Sequence, residues 1–397
     1  MPETNTPIQQ SVKNSRVSVS EDKRLLTKKP IISCVAAGQG GYNGMRAMLD
    51  KPFVTADNCF YINYQTDLLS AKILDTNNLI DVNPDSYGAG KNREKARNDA
   101  LSNVQVWSQE LASKINPKSE KIYVFISGGG GFGSGSGPLI AATISQPNFM
   151  NRVGRKIPVH VILFKPALSN NREEWFNYSE CLKELNALVD AKAISLFIAD
   201  LSSSDEADPD ERNLVVDREV AELLYRFECL NYIGNDSNLD FEDRYVLSCT
   251  PKMHALMRVE KDGTFSSPFV LPKGELVNRS AFEVAEGNEA NVEKISQSLG
   301  VTVLDKSFKG VYPGTSSSLG AYDIIAYAGF KIPEGTLKES QNIVTELQRK
   351  AEAQDKSDKT KSADAFNMLK QNKAAIAESN QSNSLDLDGI MGLIGGD

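Results

Sequence analysis

The residues with the clearest chemical meaning form one run, Gly128 to Pro138, which reads GGGGFGSGSGP. Glycine reaches positive φ without a Cβ penalty and lets backbone N–H groups converge on an anion. The apolar run Lys121 to Ile126, rich in β-branched and aromatic residues, precedes it and predicts a buried strand. Behind Pro138, Leu139 to Ile144 predicts a helix, because proline is tolerated in a first turn whose N–H groups lack partners. The positive end of that helix would strengthen the field at an anion. Strand, glycine loop and helix in this order predict a phosphate-binding loop. A flexible linker is the bland alternative, but linkers do not normally sit between a buried strand and a helix.

Other segments must position that loop. Ile31 to Ala36 predicts the first strand, running into Gly38-Gln39-Gly40-Gly41-Tyr42-Asn43-Gly44 and a helix from Met45 to Leu49. Phe60 to Asn63 predicts a second strand, ending at Gln65, Thr66 and Asp67. Gly88-Ala89-Gly90-Lys91-Asn92 opens a polar helix expected to reach about Lys114. Val159 to Phe164 and Ile194 to Ala199, the latter ending at Asp200, predict two more buried strands. Strands alternating with helices imply a mostly parallel sheet covered on both faces, with ligands at the strands' carboxyl ends. All these loops fall there.

Gly128-x-Gly130-x-x-Gly133 satisfies GxGxxG, but a dinucleotide fingerprint belongs on the first βα turn. That turn has Gly38-x-Gly40-x-x-Asn43, a near miss. GxxxxGK[ST] does not occur, so the phosphates are expected to be shared among loops 38–44, 88–92 and 129–135.

Asn213 to Ile233 predicts a long helix with Leu214, Val215, Val220, Leu223, Leu224 and Phe227 on a broad apolar face. Beyond it the strands Met253 to Met257, Val301 to Leu304 and Tyr322 to Tyr327, with a helix at Ala290 to Ser298, predict a smaller α/β domain with a mixed sheet. The expected division is a disordered arm at 1–28, a nucleotide domain at 29–210, the central helix at 211–235, a second domain at 236–332 and helices with a flexible tail at 333–397. In the tail, Thr336 to Glu339 has capping-box spacing, a short helix is expected over 363–379, and 385–394 is an apolar-acidic tag suited to docking.

The chain of 397 residues is long enough for two domains, and 40% apolar residues suffice for real cores. A formal charge of -8 argues against nonspecific DNA binding by the surface. Five scattered cysteines without CxxC spacing fit reduced thiols in a cytoplasm. Two histidines make a histidine-rich metal site or a Ser-His-Asp hydrolase a poor expectation. No signal peptide and no apolar run of membrane-spanning length is apparent.

Together these segments resemble the tubulin/FtsZ superfamily. Gly129-Gly130-Gly131-Phe132-Gly133-Ser134-Gly135 resembles its GGGTGSG loop. Gly38 to Asn43 resembles its first loop, Thr66-Asp67 the Thr-Asp after its second strand, and Gly88 to Asn92 its third phosphate loop. Asn238-x-Asp240-x-x-Asp243 matches the NxDxxD of its catalytic loop. The matches run in order from Ile31 to about Phe330, and the charged tail looks most like the plasmid and phage branch that includes TubZ and PhuZ. The resemblance implies a tubulin/FtsZ-like α/β fold, GTP and Mg²⁺ as ligands, GTP hydrolysis, head-to-tail filaments and a DNA-binding adaptor as partner, in a cytoplasmic setting without membrane insertion.

Two departures bear on the site. Phe132 replaces the usual threonine, so only its backbone N–H remains for phosphate. On the long helix, Asp217 falls near the position that reads guanine in the superfamily, and Asn213 stands where an aromatic often stacks on the base. A carboxylate can accept from both the ring N–H and the exocyclic amine of guanine, which adenine cannot offer.

Asp240 and Asp243 follow the far end of the long helix, out of comfortable reach of a γ-phosphate in the same molecule. Composition alone favours a solvated acidic turn. The resemblance instead implies that this loop enters the next subunit's pocket, with Asp240 and Asp243 polarising water and Asn238 holding the loop. Such heterologous contact generates a filament. The alternatives are an FtsZ-like division protein, a Rossmann-type NAD-binding oxidoreductase, and a nucleotide-binding structural protein without catalysis.

Overall fold

The structure is a computed structural model and describes residues 30–49, 51, 54–68, 74, 76–228, 241–312, 322–354 and 356. The chain divides into two compact units, Met1–Ser340 and Gln341–Asp397.

In the first unit the chain runs β1 (Ile32–Ala37), α1 (Gly38–Met48), β2 (Cys59–Asn63), α2 (Gln65–Leu68), β3 (Leu79–Asp81), α3 (Arg93–Ser102), α4 (Val104–Lys114) and β4 (Lys121–Ser127). It continues through α5 (Gly131–Ser145), α6 (Pro147–Val153), β5 (Val159–Lys165), α7 (Arg172–Asp190), β6 (Ser195–Asp200) and α8 (Pro209–Glu228). After residue 240 come α9 (Phe241–Ser248), β7 (Lys252–Val259), β8 (Phe265–Ser266), β9 (Leu276–Ala285), α10 (Glu289–Leu299), β10 (Thr302–Tyr312) and β11 (Asp323–Phe330).

One sheet runs β10-β9-β11-β7-β6-β5-β4-β1-β2-β3, with β8 on β7. From β3 to β6 every pair is parallel. β1, β2, β4, β5 and β6 are buried almost throughout, which is why they read as unbroken apolar runs, whereas the three-residue β3 is only partly buried. The order 3-2-1-4-5-6 is that of doubly wound nucleotide folds, whose switch point lies between β1 and β4. Beyond β6 the sheet is mixed, as expected: β11 runs antiparallel to β7 and β9, and β10 runs parallel to β9. The two parts join narrowly, because β6 pairs with β7 only through Ser195 with Lys252 and Leu196 with Met253. Higher up, β6 instead bonds the segment 268–270: Asp200 N donates to Pro268 O at 2.7 Å and Val270 N to Ile198 O at 2.8 Å.

Three expectations need correction. The helix after the glycine run begins at Gly131, so Pro138 lies inside it and not in its first turn. The single polar helix ending near Lys114 is two helices. At the end of α3, the Asn103 amide donates to Asp99 O at 3.1 Å and the Trp107 indole to Ala100 O at 2.8 Å, taking carbonyls that a continuing helix would use. Thr336 is not an N-cap: helix begins at residue 334, and Glu339 pairs with Lys165 at 2.8 Å. The central helix starts at Pro209 and is described as far as Glu228.

In the second unit, residues 341–354 are helical. The arm at 1–28, the helix expected at 363–379 and the tag at 385–394 lie outside the described residues. No described helix is long and apolar enough to cross a membrane.

Candidate nucleotide-binding site

The switch point collects the glycine segments. Gly130 is the N-cap of α5, and the first N–H groups of the helix, from Gly131 on, have no partner within it. The glycines serve packing as well as conformation. A Cβ on Gly131 would lie 2.4 Å from Lys91 Cα, one on Gly133 2.7 Å from Ser127 O, and one on Gly135 2.2 Å from Arg93 O. The start of α5 therefore rests directly on the backbones of β4 and of the 88–93 loop. Gly38, at φ +75°, lies as close: its Cβ would sit 2.9 Å from Gly133 N. Phe132 is buried and sets its ring edge-on to Tyr64, 5.4 Å between centroids, which leaves its N–H at the helix terminus.

A relay from β2 fixes the first loop. Asn63 donates to the Tyr61 hydroxyl at 2.7 Å, the hydroxyl donates to Gln39 Oε1 at 3.1 Å, and Gln39 donates to Asn43 Oδ1 at 3.2 Å. Gly40 and Gly41 bring α1 against β4, where Cβ atoms would meet Ser127 Cβ at 2.6 Å and Phe125 O at 2.3 Å. Thr66 and Asp67 lie in α2 after β2, and Thr66 Oγ1 donates to Tyr87 O at 3.1 Å, tying this turn to the next loop. In that loop Gly88, Gly90 and Lys91 have positive φ, Ala89 O accepts from Asn92 N, and the Asn92 side chain caps α3. Gly129 O and Lys91 O both accept from the Asn177 amide at 3.3 Å. Lys91 also pairs with Glu174 at 2.9 Å. Asn177 and Glu174, both on α7, were not singled out from the sequence. The available signal was an asparagine inside an apolar helical stripe with Trp175, Tyr178, Cys181 and Leu182. Ser134 turns back to Gly130 O, and Asp200 pairs with Lys165 at 2.8 Å.

On α8, Asn213 and Asp217 stand one turn apart. Asn213 Oδ1 is buried with no hydrogen-bond partner among the described residues, and Asp217 is 6% exposed. Burial pushes the Asp217 carboxyl up to about 7, against the opposing pull of Arg46 on α1. A buried acceptor without a donor and a carboxyl held near neutrality are what a donor-bearing edge such as that of guanine would satisfy.

The acidic stretch is elsewhere. Asn238 and Asp240 lie outside the described residues. Asp243 lies in the first turn of α9, not in a loop, and pairs with Lys306 at 3.2 Å. Its neighbour Arg244 sits at the start of β4, beside Glu120. The phosphate-type loops lie at the other end of that strand, so Asp243 and α5 are not brought together within this chain.

No family model and no curated protein matches the sequence. Solved structures match its fold. Clostridium botulinum phage c-st TubZ, with its C-terminal tail truncated, gives a TM-score of 0.65 at 18% identity, over 80% of this chain and 98% of that one. Bacillus thuringiensis serovar israelensis TubZ, in a GTPγS-form protofilament, gives 0.64 at 14% identity, over 82% and 93%. CetZ from Methanosaeta thermophila strain DSM 6194 gives 0.60 at 16% identity, over 88% and 99%. The class is therefore a tubulin/FtsZ-like α/β fold. Within it, the architecture is the one that TubZ and CetZ structures share.

Proposed function

We propose that this chain binds GTP at the switch point, hydrolyses it where subunits meet head to tail, and forms filaments that position plasmid or phage DNA through a DNA-binding adaptor. The observations that carry the reading are the glycine-built terminus of α5 and, on α8, the buried Asp217 one turn from Asn213 Oδ1, which has no hydrogen-bond partner among the described residues. The N–H groups of Gly131, Phe132 and Gly133 hold phosphate oxygens, with loops 38–43, 66–67 and 88–92 around them. Asp217 accepts from the guanine N1–H and amine, and Asn213 offers a second acceptor. Mg²⁺ bound with the nucleotide would neutralise charge on the β- and γ-phosphates, an arrangement that needs few protein ligands. Asp243, with Asp240 and Asn238, reaches the nucleotide of the adjoining subunit and orients water. The fold's occurrence in a GTPγS-form TubZ protofilament supports the reading. Light scattering read together with phosphate release tests it. Scattering should rise with GTP and decay as phosphate appears, while ATP, GDP and NAD give neither. Assembly and release that are equal with ATP would remove the guanine assignment.

Asp217 adds a pH prediction. Its pKa in the nucleotide-free protein is raised to about 7, so below that pH the carboxyl must shed a proton before it can accept from guanine. GDP affinity is expected to fall roughly tenfold between about pH 8 and about pH 6. Stability of the empty protein moves the other way, being lost as pH rises through the raised pKa. Asp217→Asn should flatten the GDP profile. Isothermal titration at several pH values checks this, and a wild-type profile as flat as that of the variant would rule the role out.

A further inference from the structure

A buried ion cluster lies between Glu228 of the central helix and α9. Glu228, the last described residue of α8, is fully buried. Its Oε1 accepts from Lys121 Nζ at 2.7 Å and from the Tyr123 hydroxyl, and its Oε2 accepts from Arg244 Nη1 at 2.9 Å. Arg244 Nη2 reaches Glu120 at 2.6 Å, and Lys121 Nζ also donates to Ser248 Oγ at 2.8 Å. Arg244 and Ser248 lie one turn apart on α9, while Lys121 and Tyr123 open β4 and Glu120 immediately precedes it. Glu228 and Arg244 are sixteen residues apart in sequence, and their ion pair joins the two ends of the stretch that carries Asn238, Asp240 and Asp243.

Stability is a poor explanation for this cluster. Burying each ion costs several kcal/mol, and apolar replacement of such groups is often neutral or stabilising. What an arginine fork joined to two carboxylates on different elements does fix is orientation. Arg244 bonds Glu120 and Glu228 at once, and the Lys121–Ser248 bond holds α9 a turn further on, so neither rotation nor sliding of α9 is left open. β4 then runs from this cluster to Ser127, on which Gly133 of α5 rests. One strand thus sets the position of both the glycine helix and the residue next to Asp243.

We propose that the Lys121–Glu228–Arg244 cluster is the positioning device for hydrolysis: it holds α9, and with it Asp243, at the angle needed to meet the nucleotide of the adjoining subunit. This rests on the functional reading above. Arg244 and Glu228 are positioning residues and touch no nucleotide.

Arg244→Lys keeps the charge and loses the fork. Turnover per assembled subunit should fall at least about tenfold, since misplacement of about 1 Å can cost a hundredfold. GDP affinity of the unassembled subunit should stay within about twofold. The combined exchange Lys121→Met, Glu228→Leu and Arg244→Met should keep or raise Tm and still be slow, which separates positioning from stability. Mixing gives a further readout. An Asp217→Ala subunit binds GTP poorly but carries an intact α9, so mixed with Arg244→Lys it should hydrolyse more than the two alone sum to. Absence of GTP-dependent assembly and turnover in the wild type would defeat the functional reading itself. If the wild type turns over and both cluster variants match it per assembled subunit, the positioning role is overturned, whatever their Tm. If Arg244→Lys does not fold, the triple variant decides; a triple variant that does not fold makes the cluster a stability element and also overturns the proposal.

Discussion

Asp243→Ala is expected to bind GDP within about twofold of the wild type and to lose turnover by about a hundredfold or more, the scale of a missing general base or water-orienting group. Filaments of the variant should persist after GTP addition instead of decaying. The argument is one of distance. Arg244, next in sequence, is bonded at the start of β4, and the glycine helix begins beyond its end at Ser127. A seven-residue strand spans roughly 20 Å, far more than an aspartate side chain. Asp243 therefore acts on a nucleotide only if another subunit supplies it. Asp240→Ala should behave in the same way. A purely local role predicts something different: the pair with Lys306 is half exposed and worth at most about 1 kcal/mol. Phosphate release by Asp243→Ala at the wild-type rate, measured above the assembly concentration, would leave only that local role.

Gly135→Ala should destabilise the fold by about 3 kcal/mol, within the range for overpacking a tight contact. Helix propensity alone points the other way, because alanine in a helix interior is normally about 1 kcal/mol better than glycine. Gly135 lies within α5, and propensity would make it a target for stabilisation. Its Cβ would, however, lie 2.2 Å from the carbonyl oxygen of Arg93, a backbone atom in the first turn of α3. Nothing flexible can give way, so α5 must move off the 88–93 loop. Denaturant unfolding measures the stability, and GDP titration of the folded fraction should show weakened binding as well. An unchanged or raised midpoint would mean that α5 is free to lift.

That glycine-rich run also shows what was legible in the sequence. The order of strand, glycines and helix was readable because the apolar run of β4 is buried on both faces. The helix start was not, because glycine's poor helix propensity and Pro138 both argued for a later one. Close packing on three backbones overrides propensity there, and only the fold brings Ala37, Lys91 and Arg93 to the same place. The i, i+4 spacing of Asn213 and Asp217 was visible, whereas their burial depends on α1 packing against α8. Asn177 could not be assigned to the site, since its two acceptors lie 48 and 86 residues away. α9 was hidden for a different reason: Asn238 to Asp243 read as an acidic turn, and the partners that bury Arg244 come from β4 and the end of α8. β9, with Asn278, Arg279 and Ser280 in its middle, lacks a clean alternation because its burial does not follow a two-residue period.

The narrow seam between β6 and β7 has a mechanical consequence. Two residue pairs join the halves of an eleven-stranded sheet along its length, and the remaining edge of β6 is closed by the irregular segment 268–270. Sheets resist bending through their ladders, so this seam, bridged otherwise by α8 packing on β6, β7 and β11, is the line along which the sheet would yield first. Tension drawn along a filament would be carried by β1 to β6 as a stiff plate and by β7, β11, β9 and β10 as another. Twist between the plates would then fall on the short ladder at Ser195 and Leu196. In the proposed filament such subunits would act as hinged links, each storing curvature without loosening the plate that carries the glycine loops.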